Sequence, residues 1–379
     1  MTGWGRFANM YLYSRGMTAT QLGFLRSIGQ GCKLFFWPMW GSLADYTGNP
    51  RAVLTLSLIL STLLLEIFRW DSVFASFSLV VGLKLIRSAV NGVWVLVEVL
   101  VLNIVREQDA LTDSAAAKGK AGQKEGYGKQ RMWVAVSWGF SAVAVGYLCD
   151  HFGNQSIFFF SYVTSALMLL LLWTQMPDIS ESHHLPGGGK PQKNSAGLRQ
   201  FWADVAAFAS TRRMLYFYLR LYLYGFVMFI PETLIYLQLK NDLQASTLVV
   251  GVAIACQVVF EIPVFFYSKQ LLARVSVSSL LQFARLALFV RLCVSSLVTS
   301  PEFAWCLCLV QCSNCLCFTF TWLAATQFAQ QNAPAGLEGS SQSMIATVYS
   351  TLGQGSGAMV FGVLYDRYGA VAVHRSLSL

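Results

Sequence analysis

Three stretches share one pattern: Gly41 to Gly48 reads GSLADYTG, Gly146 to Gly153 reads GYLCDHFG, and Gly362 to Gly369 reads GVLYDRYG. Each Gly-x-Leu-x-Asp-x-x-Gly stands at the end of a long apolar stretch, and the last two copies begin 216 residues apart (362 − 146). That separation is about half of a twelve-helix carrier, and such repetition marks membrane carriers built from two related halves around a central site. Glycine suits a turn where helix backbones crowd, and a carboxylate there can hydrogen-bond the N-terminus of a neighbouring helix.

Working outward, 55% of residues are hydrophobic and 12% charged, whereas a soluble domain carries about 25% charged residues. Apolar runs lie near 18–45, 52–70, 73–105, 130–150, 154–176, 213–239, 245–268, 276–299, 302–332 and 340–365. Each is long enough to cross a bilayer, and membrane neighbours tolerate the internal Pro and Gly. The expectation is an all-α, multi-pass integral membrane protein with the lipid bilayer as its solvent. It has ten full helices, and residues 1–16 are the last turns of another. A Pro-, Gly-, Ser- and Lys-rich stretch reads as a polar linker. It divides the chain into an N-terminal helix group at 1–176, a linker at 177–212 and a C-terminal group at 213–379, and residues 106–129 form a second polar loop.

The net charge of +9 sorts by side. If the loop after Asp45 is cytoplasmic, fourteen basic residues share its side: Arg51, six between Arg106 and Arg131, five between Lys190 and Arg213, and Lys269 and Arg274. Five face the other way: Arg15, Arg69, Lys240, Arg367 and Arg375. This asymmetry satisfies the positive-inside rule, puts the 177–212 linker in the cytoplasm, and accounts for the basic balance without a nucleic-acid partner.

GSLADYTGNPR, ending on Arg51, resembles the loop between the second and third helices of the major facilitator superfamily. Two further stretches, YGKQRMWVAVSWGFSAVAVGYLCD (Tyr127 to Asp150) and FEIPVFFYSKQLL (Phe260 to Leu272), are similar to the branch containing lactose permease and nucleoside–proton symporters. So is the tail from Trp322 through GQGSGAMVFGVLYDRYGA. The resemblance implies two six-helix halves, of which this chain would lack most of the first helix and all of the twelfth. It also implies a conformational latch at Gly41, Asp45, Gly48 and Arg51, and alternating access. Three positions depart from the family pattern: Tyr46 replaces a common basic residue, Asn91 follows Arg87 where glycine is usual, and Cys315 follows Asn314 in place of glycine.

Charges inside apolar runs point to mechanism, because each costs about 3 kcal/mol at mid-membrane unless it faces a cavity or partner. On 73–105, Lys84, Arg87, Asn91 and Glu98 fall within about 60° of one another on a continuous helix, so Arg87, Asn91 and Glu98 are candidates for a substrate or proton path. On 213–239, Arg220 and Glu232 lie about 120° apart, so one of them faces the cavity, and Pro231 is expected to kink the helix. Gln257 and Glu261 share a face, with Glu261 the leading proton carrier because desolvation favours a neutral carboxyl that can be discharged when the cavity floods. Gln311 and Asn314 share a face of 302–332.

Cys308, Cys312 and Cys315 also share a face there, but no His or carboxylate joins them, so no metal site is expected. Gly187 to Lys190 (GGGK) has the wrong spacing for a phosphate loop. With no cofactor motif and no ATP motif, the expected activity is not enzymatic. It is secondary active transport of an unknown small-molecule substrate, with protons as the candidate coupling ion. The alternative from another class is a receptor or scaffold that keeps the fold and has lost transport.

Overall fold

The computed structural model describes residues 2–47, 49–97, 100, 127–175, 210–332, 341 and 344–376. Within them the chain is helical, with α1 at Thr2–Ser14, α2 at Ala19–Thr47, α3 at Pro50–Ile67, α4 at Phe77–Val97, α5 at Tyr127–Phe152 and α6 at Ser156–Thr174. Then follow α7 at Arg212–Asp242, α8 at Thr247–Phe266, α9 at Val277–Leu297, α10 at Pro301–Ala329, and α11, which runs as Thr347–Gln354 and Gly355–Arg375. Eight of the described helices are long and apolar enough to cross a membrane. The sequence-derived linker at 177–212 falls almost wholly outside the described residues, as do Gly48, Glu98 and most of the 106–129 loop.

Local chemistry sets the helix starts. Asn49 caps α3 by accepting from the Ala52 N–H, with Pro50 in the first position, and Ser246 and Ser276 cap α8 and α9 in the same way. The caps satisfy amides that helix geometry leaves orphaned.

The second and third copies of the glycine–aspartate pattern have matching roles at one face of the molecule. Asp150 accepts from the Thr247 and Leu248 amides at 2.8 and 2.7 Å, closing α5 onto the N-terminus of α8. Asp366 accepts from the Ala19 and Thr20 amides at 2.9 and 2.7 Å, closing α11 onto the N-terminus of α2. By the charge rule this is the outer face, where Arg15 also pairs with Asp71. Each glycine of the pattern has its own task. A Cβ on Gly146 would lie 2.7 Å from the Thr247 carbonyl oxygen, and one on Gly362 2.6 Å from that of Ala19, while Gly153 and Gly369 take φ of +79° and +76° at the turn.

In the first copy the described contacts are those of Gly41 and Arg51. Gly41 lies inside α2 with open space where a Cβ would point, so neither crowding nor a turn requires it. Arg51 donates to the Trp173 carbonyl at 2.8 Å and lies 4.3 Å from the Trp173 ring centroid, which ties α3 to the end of α6. The Asp45 side chain is outside the described residues. Among the described residues, the clasps that join the two helix groups at a pattern aspartate are those of Asp150 and Asp366.

The continuous helix expected over 73–105 is also corrected. After a 3₁₀ turn at Asp71–Ala75, the helix runs to Val90, breaks at Asn91–Gly92 and resumes at 93. Trp40 approaches so closely that a Cβ on Gly92 would sit 2.3 Å from its Cγ. Neighbours take up groups freed by the break: Trp40 Nε1 donates to the Ala89 carbonyl, Ser57 Oγ to that of Val90, and Trp37 Nε1 to that of Asn91, and the Gly92 amide donates to Ser57 Oγ. A membrane helix can break only where neighbours satisfy its backbone in this way.

Replacing Gly146 or Gly362 with leucine should prevent the outer face from closing, because each side chain would collide with a backbone that cannot yield. The check is faster reaction of an outer-facing thiol probe in membranes, and an unchanged rate would show that these contacts do not govern closure.

Candidate functional site

The centre of the C-terminal helices carries a ring of buried polar side chains that is completed by the backbone of α8 between Gln257 and Glu261. Arg291 of α9, 2% exposed, donates through Nη1 to Asn314 Oδ1 at 2.7 Å and through Nη2 to Gln311 Oε1. Asn314 Nδ2 donates to Glu261 Oε1 at 2.6 Å. In the other direction, Gln311 Nε2 donates to Tyr236 OH at 2.8 Å, and that hydroxyl donates to Gln257 Oε1 at 2.5 Å. The ring therefore starts and ends on α8, passing through α7, α9 and α10. Such a network is stable in a low-dielectric interior because nearly every donor in it meets an acceptor and the guanidinium has a carboxylate one amide away.

The backbone is wound to suit. Residues Ile230–Leu234, Cys315–Thr319 and Thr347–Gln354 form π-helical turns in α7, α10 and α11. Pro231 sits in the first of these, and its carbonyl accepts from Arg291 Nη2 at 3.4 Å and Gln311 Nε2 at 3.3 Å. Wide turns of this kind recur at functional sites because they re-aim side chains and expose carbonyls.

A second polar centre joins the two helix groups. Glu232, 7% exposed, accepts from Gln354 Nε2 at 2.8 Å and from Tyr349 OH at 3.5 Å. Gln354 in turn accepts from Arg26 Nη2 of α2 at 3.1 Å, so one amide relays between a cation on α2 and an acid on α7. Arg6 of α1 donates to the Glu232 carbonyl at 2.6 Å and lies 5.6 and 5.9 Å from the Trp138 and Tyr236 ring centroids. A cavity of about 10 Å³ lies here, lined among others by Arg6, Asn9, Arg26, Glu232 and Tyr236.

Of the residues singled out in sequence, Gln257, Glu261, Gln311 and Asn314 meet in the ring, and Glu232 is at the interface between the helix groups. Arg220 is exposed, with its guanidinium 4.6 Å from the Tyr216 centroid, and takes no part in either centre. Arg87 lies 5.6 Å from the Trp4 ring and is separated from Glu98 by the break, so the shared face expected for Arg87, Asn91 and Glu98 ends at Asn91. Sequence reasoning missed Arg291, Tyr236, Arg6, Arg26 and Lys33. The signal was available for Arg26, Lys33 and Arg291, since all three stand inside apolar runs.

Buried charge at the centre of a bundle of membrane-crossing helices, with helix ends clasped across its two groups, defines a multi-pass membrane transporter and not an enzyme. The chain belongs to the MFS_1-like family, whose model matches residues 6–376. Maltose permease of Geobacillus stearothermophilus is 25% identical over 372 residues, covering 96% of this chain and 83% of that protein. Among solved structures, the nucleoside transporter NupG and a mutant of it share the fold with a TM-score of 0.76. They are 16% and 15% identical, and the match covers 100% of this chain and 91% and 92% of theirs. The fold is that of the major facilitator superfamily.

Proposed function

We propose that the chain moves a small solute by alternating access and couples that movement to protons through Glu232. The observation that supports this is the position of Glu232. It lies where α1, α2, α7 and α11 meet, linked to one helix group by Arg6 and, through Gln354, by Arg26, and to the other by Tyr349. A coupling acid has to change its exposure as the halves move against each other, and an acid at their interface does so. Glu261, also 7% exposed, sits within the C-terminal ring instead, where it balances Arg291 through Asn314. The division at the 177–212 linker fits the same reading, with residues 1–176 and 213–379 as the moving halves.

Glu232→Gln should abolish uphill accumulation in proteoliposomes with an imposed pH gradient and leave solute exchange intact, because the neutral amide mimics the protonated acid. Maltose, uridine and small organic anions are the solutes to screen first. Accumulation by Glu232→Gln that still follows the pH gradient would overturn the assignment.

A further inference from the structure

Arg26 and Lys33 lie two turns apart on one face of α2, and Lys84 and Arg87 lie one turn apart on α4. Gly29 stands between the first two. A Cβ there would lie 3.1 Å from Lys84 Cε and 3.3 Å from Ser88 Oγ, so the lysine stem crosses α2 at the one point where no side chain blocks it. The four cations are close enough to repel: Lys84 feels Arg87, Lys33 and Arg26, and Lys33 feels Arg26 and Arg87.

None of the four has an ion-pair partner among the described residues. Glu232 acts on Arg26, but its oxygens are already bonded by Gln354 and Tyr349. Aromatic faces cover three of the cations, Trp37 at 5.1 Å from Lys33, Phe229 at 5.2 Å from Arg26 and Trp4 at 5.6 Å from Arg87. These contacts hold the side chains in place, but a ring quadrupole does not neutralise a charge. Arg26 Nε and Arg87 Nε are buried donors without an acceptor. Like charges gathered half-buried between membrane helices repel one another, and a visiting counter-charge relieves that repulsion.

We infer that the transported solute is an organic anion carrying two or more negative charges, a phosphate monoester or a dicarboxylate, held by Arg26, Lys33, Lys84 and Arg87. A neutral sugar or nucleoside supplies hydroxyls, which leave the repulsion in place. Two guanidinium forks and two ammonium groups suit a multiply charged oxyanion. The anion would compete with Glu232 for Arg26, so its binding and proton binding would favour each other by linkage. The inference rests on the transporter reading for the word "transported" alone, because binding is measurable without a gradient.

The test uses the purified full chain in lipid nanodiscs, with thermal unfolding and calorimetry against glycerol 3-phosphate, succinate and inorganic phosphate, and maltose and uridine for comparison. At least one organic anion should bind, more weakly as salt rises, and the two neutral solutes should not. Lys33→Met and Lys84→Met should each weaken anion binding by about tenfold or more. Without ligand both variants should melt at or above the wild-type temperature, since each removes an uncompensated cation, and a merely structural lysine would give the opposite shift. Arg285→Gln, an exposed cation bonded to its own helix at the Leu281 carbonyl, is the control that leaves binding unchanged. Neutral binding without anion binding, no binding by any of the three anions, or anion affinity unchanged in both lysine variants would each overturn the inference. Loss of proton coupling in Glu232→Gln bears on the preceding proposal and leaves this one standing.

Discussion

Replacing Arg291 with alanine should lower stability by about 3–5 kcal/mol, the usual result of removing one member of a buried charge network. Asn314 Oδ1 and Gln311 Oε1 lose their arginine donor at once, and the Pro231 carbonyl keeps only the Gln311 amide. Glu261 then loses the cation that stands behind its Asn314 amide. The double variant Arg291→Met with Glu261→Gln should recover much of the loss, because it removes both charges and keeps most of the volume and one hydrogen-bonding end. Thermal unfolding in a mild detergent compares the two. Single and double variants that melt together, well below wild type, would mean that the lost packing of Arg291 matters and its charge balance with Glu261 does not.

The same comparison separates the two buried acids. Glu261→Gln alone leaves Arg291 with no carboxylate in the ring, so its first effect should be on melting temperature. Glu232→Gln removes a charge whose cation is on the other helix group, so its first effect should be on coupling. The sequence shows both as carboxylates in apolar runs and puts Glu261 first as the proton carrier. Which of them lies between the two helix groups is a tertiary fact, set by the contact of α1 and α2 with α7 and α11.

Other features divide along the same line. Apolar runs of eighteen or more residues make the helices legible one by one, since only such runs satisfy backbone and lipid together. Gln257, Glu261, Gln311 and Asn314 are legible because polar side chains stand out against Val, Leu and Cys. Arg291 was readable on the same ground, whereas Tyr236 was not, because a tyrosine in a membrane helix is ordinary until a partner is known. The break in α4 had its own sign in the Asn91–Gly92 dipeptide, a pair that favours turns. A face computed at 100° per residue through that pair carries Glu98 past the point where the helix stops. The glycine–aspartate pattern shows that a carboxylate sits at a helix end, but it does not say which helix start arrives opposite. For that reason the amides that Asp150 and Asp366 reach, those of α8 and α2, are not legible in the sequence.

Those two aspartates should set how often the outer face opens. Each accepts two backbone amides at a helix N-terminus, where the dipole adds to the attraction. Both are exposed, so screening trims each clasp to about 1–2 kcal/mol. Asp150→Ala or Asp366→Ala should therefore shift the equilibrium toward the outer-open state by roughly 5–30-fold, and the double variant by roughly 25–900-fold if the sites act independently. Hydrogen exchange reads this directly, because the Ala19, Thr20, Thr247 and Leu248 amides lose protection as the clasps part. The decisive observation is at the clasp that was not mutated. If the two helix groups rock as rigid bodies, Asp150→Ala should speed exchange at Ala19 and Thr20 as well, because opening one side carries the other with it. Faster exchange confined to Thr247 and Leu248 would mean that α5 and α8 part locally while α2 and α11 stay closed. Rigid-body alternation would then fail as the account of how this face opens.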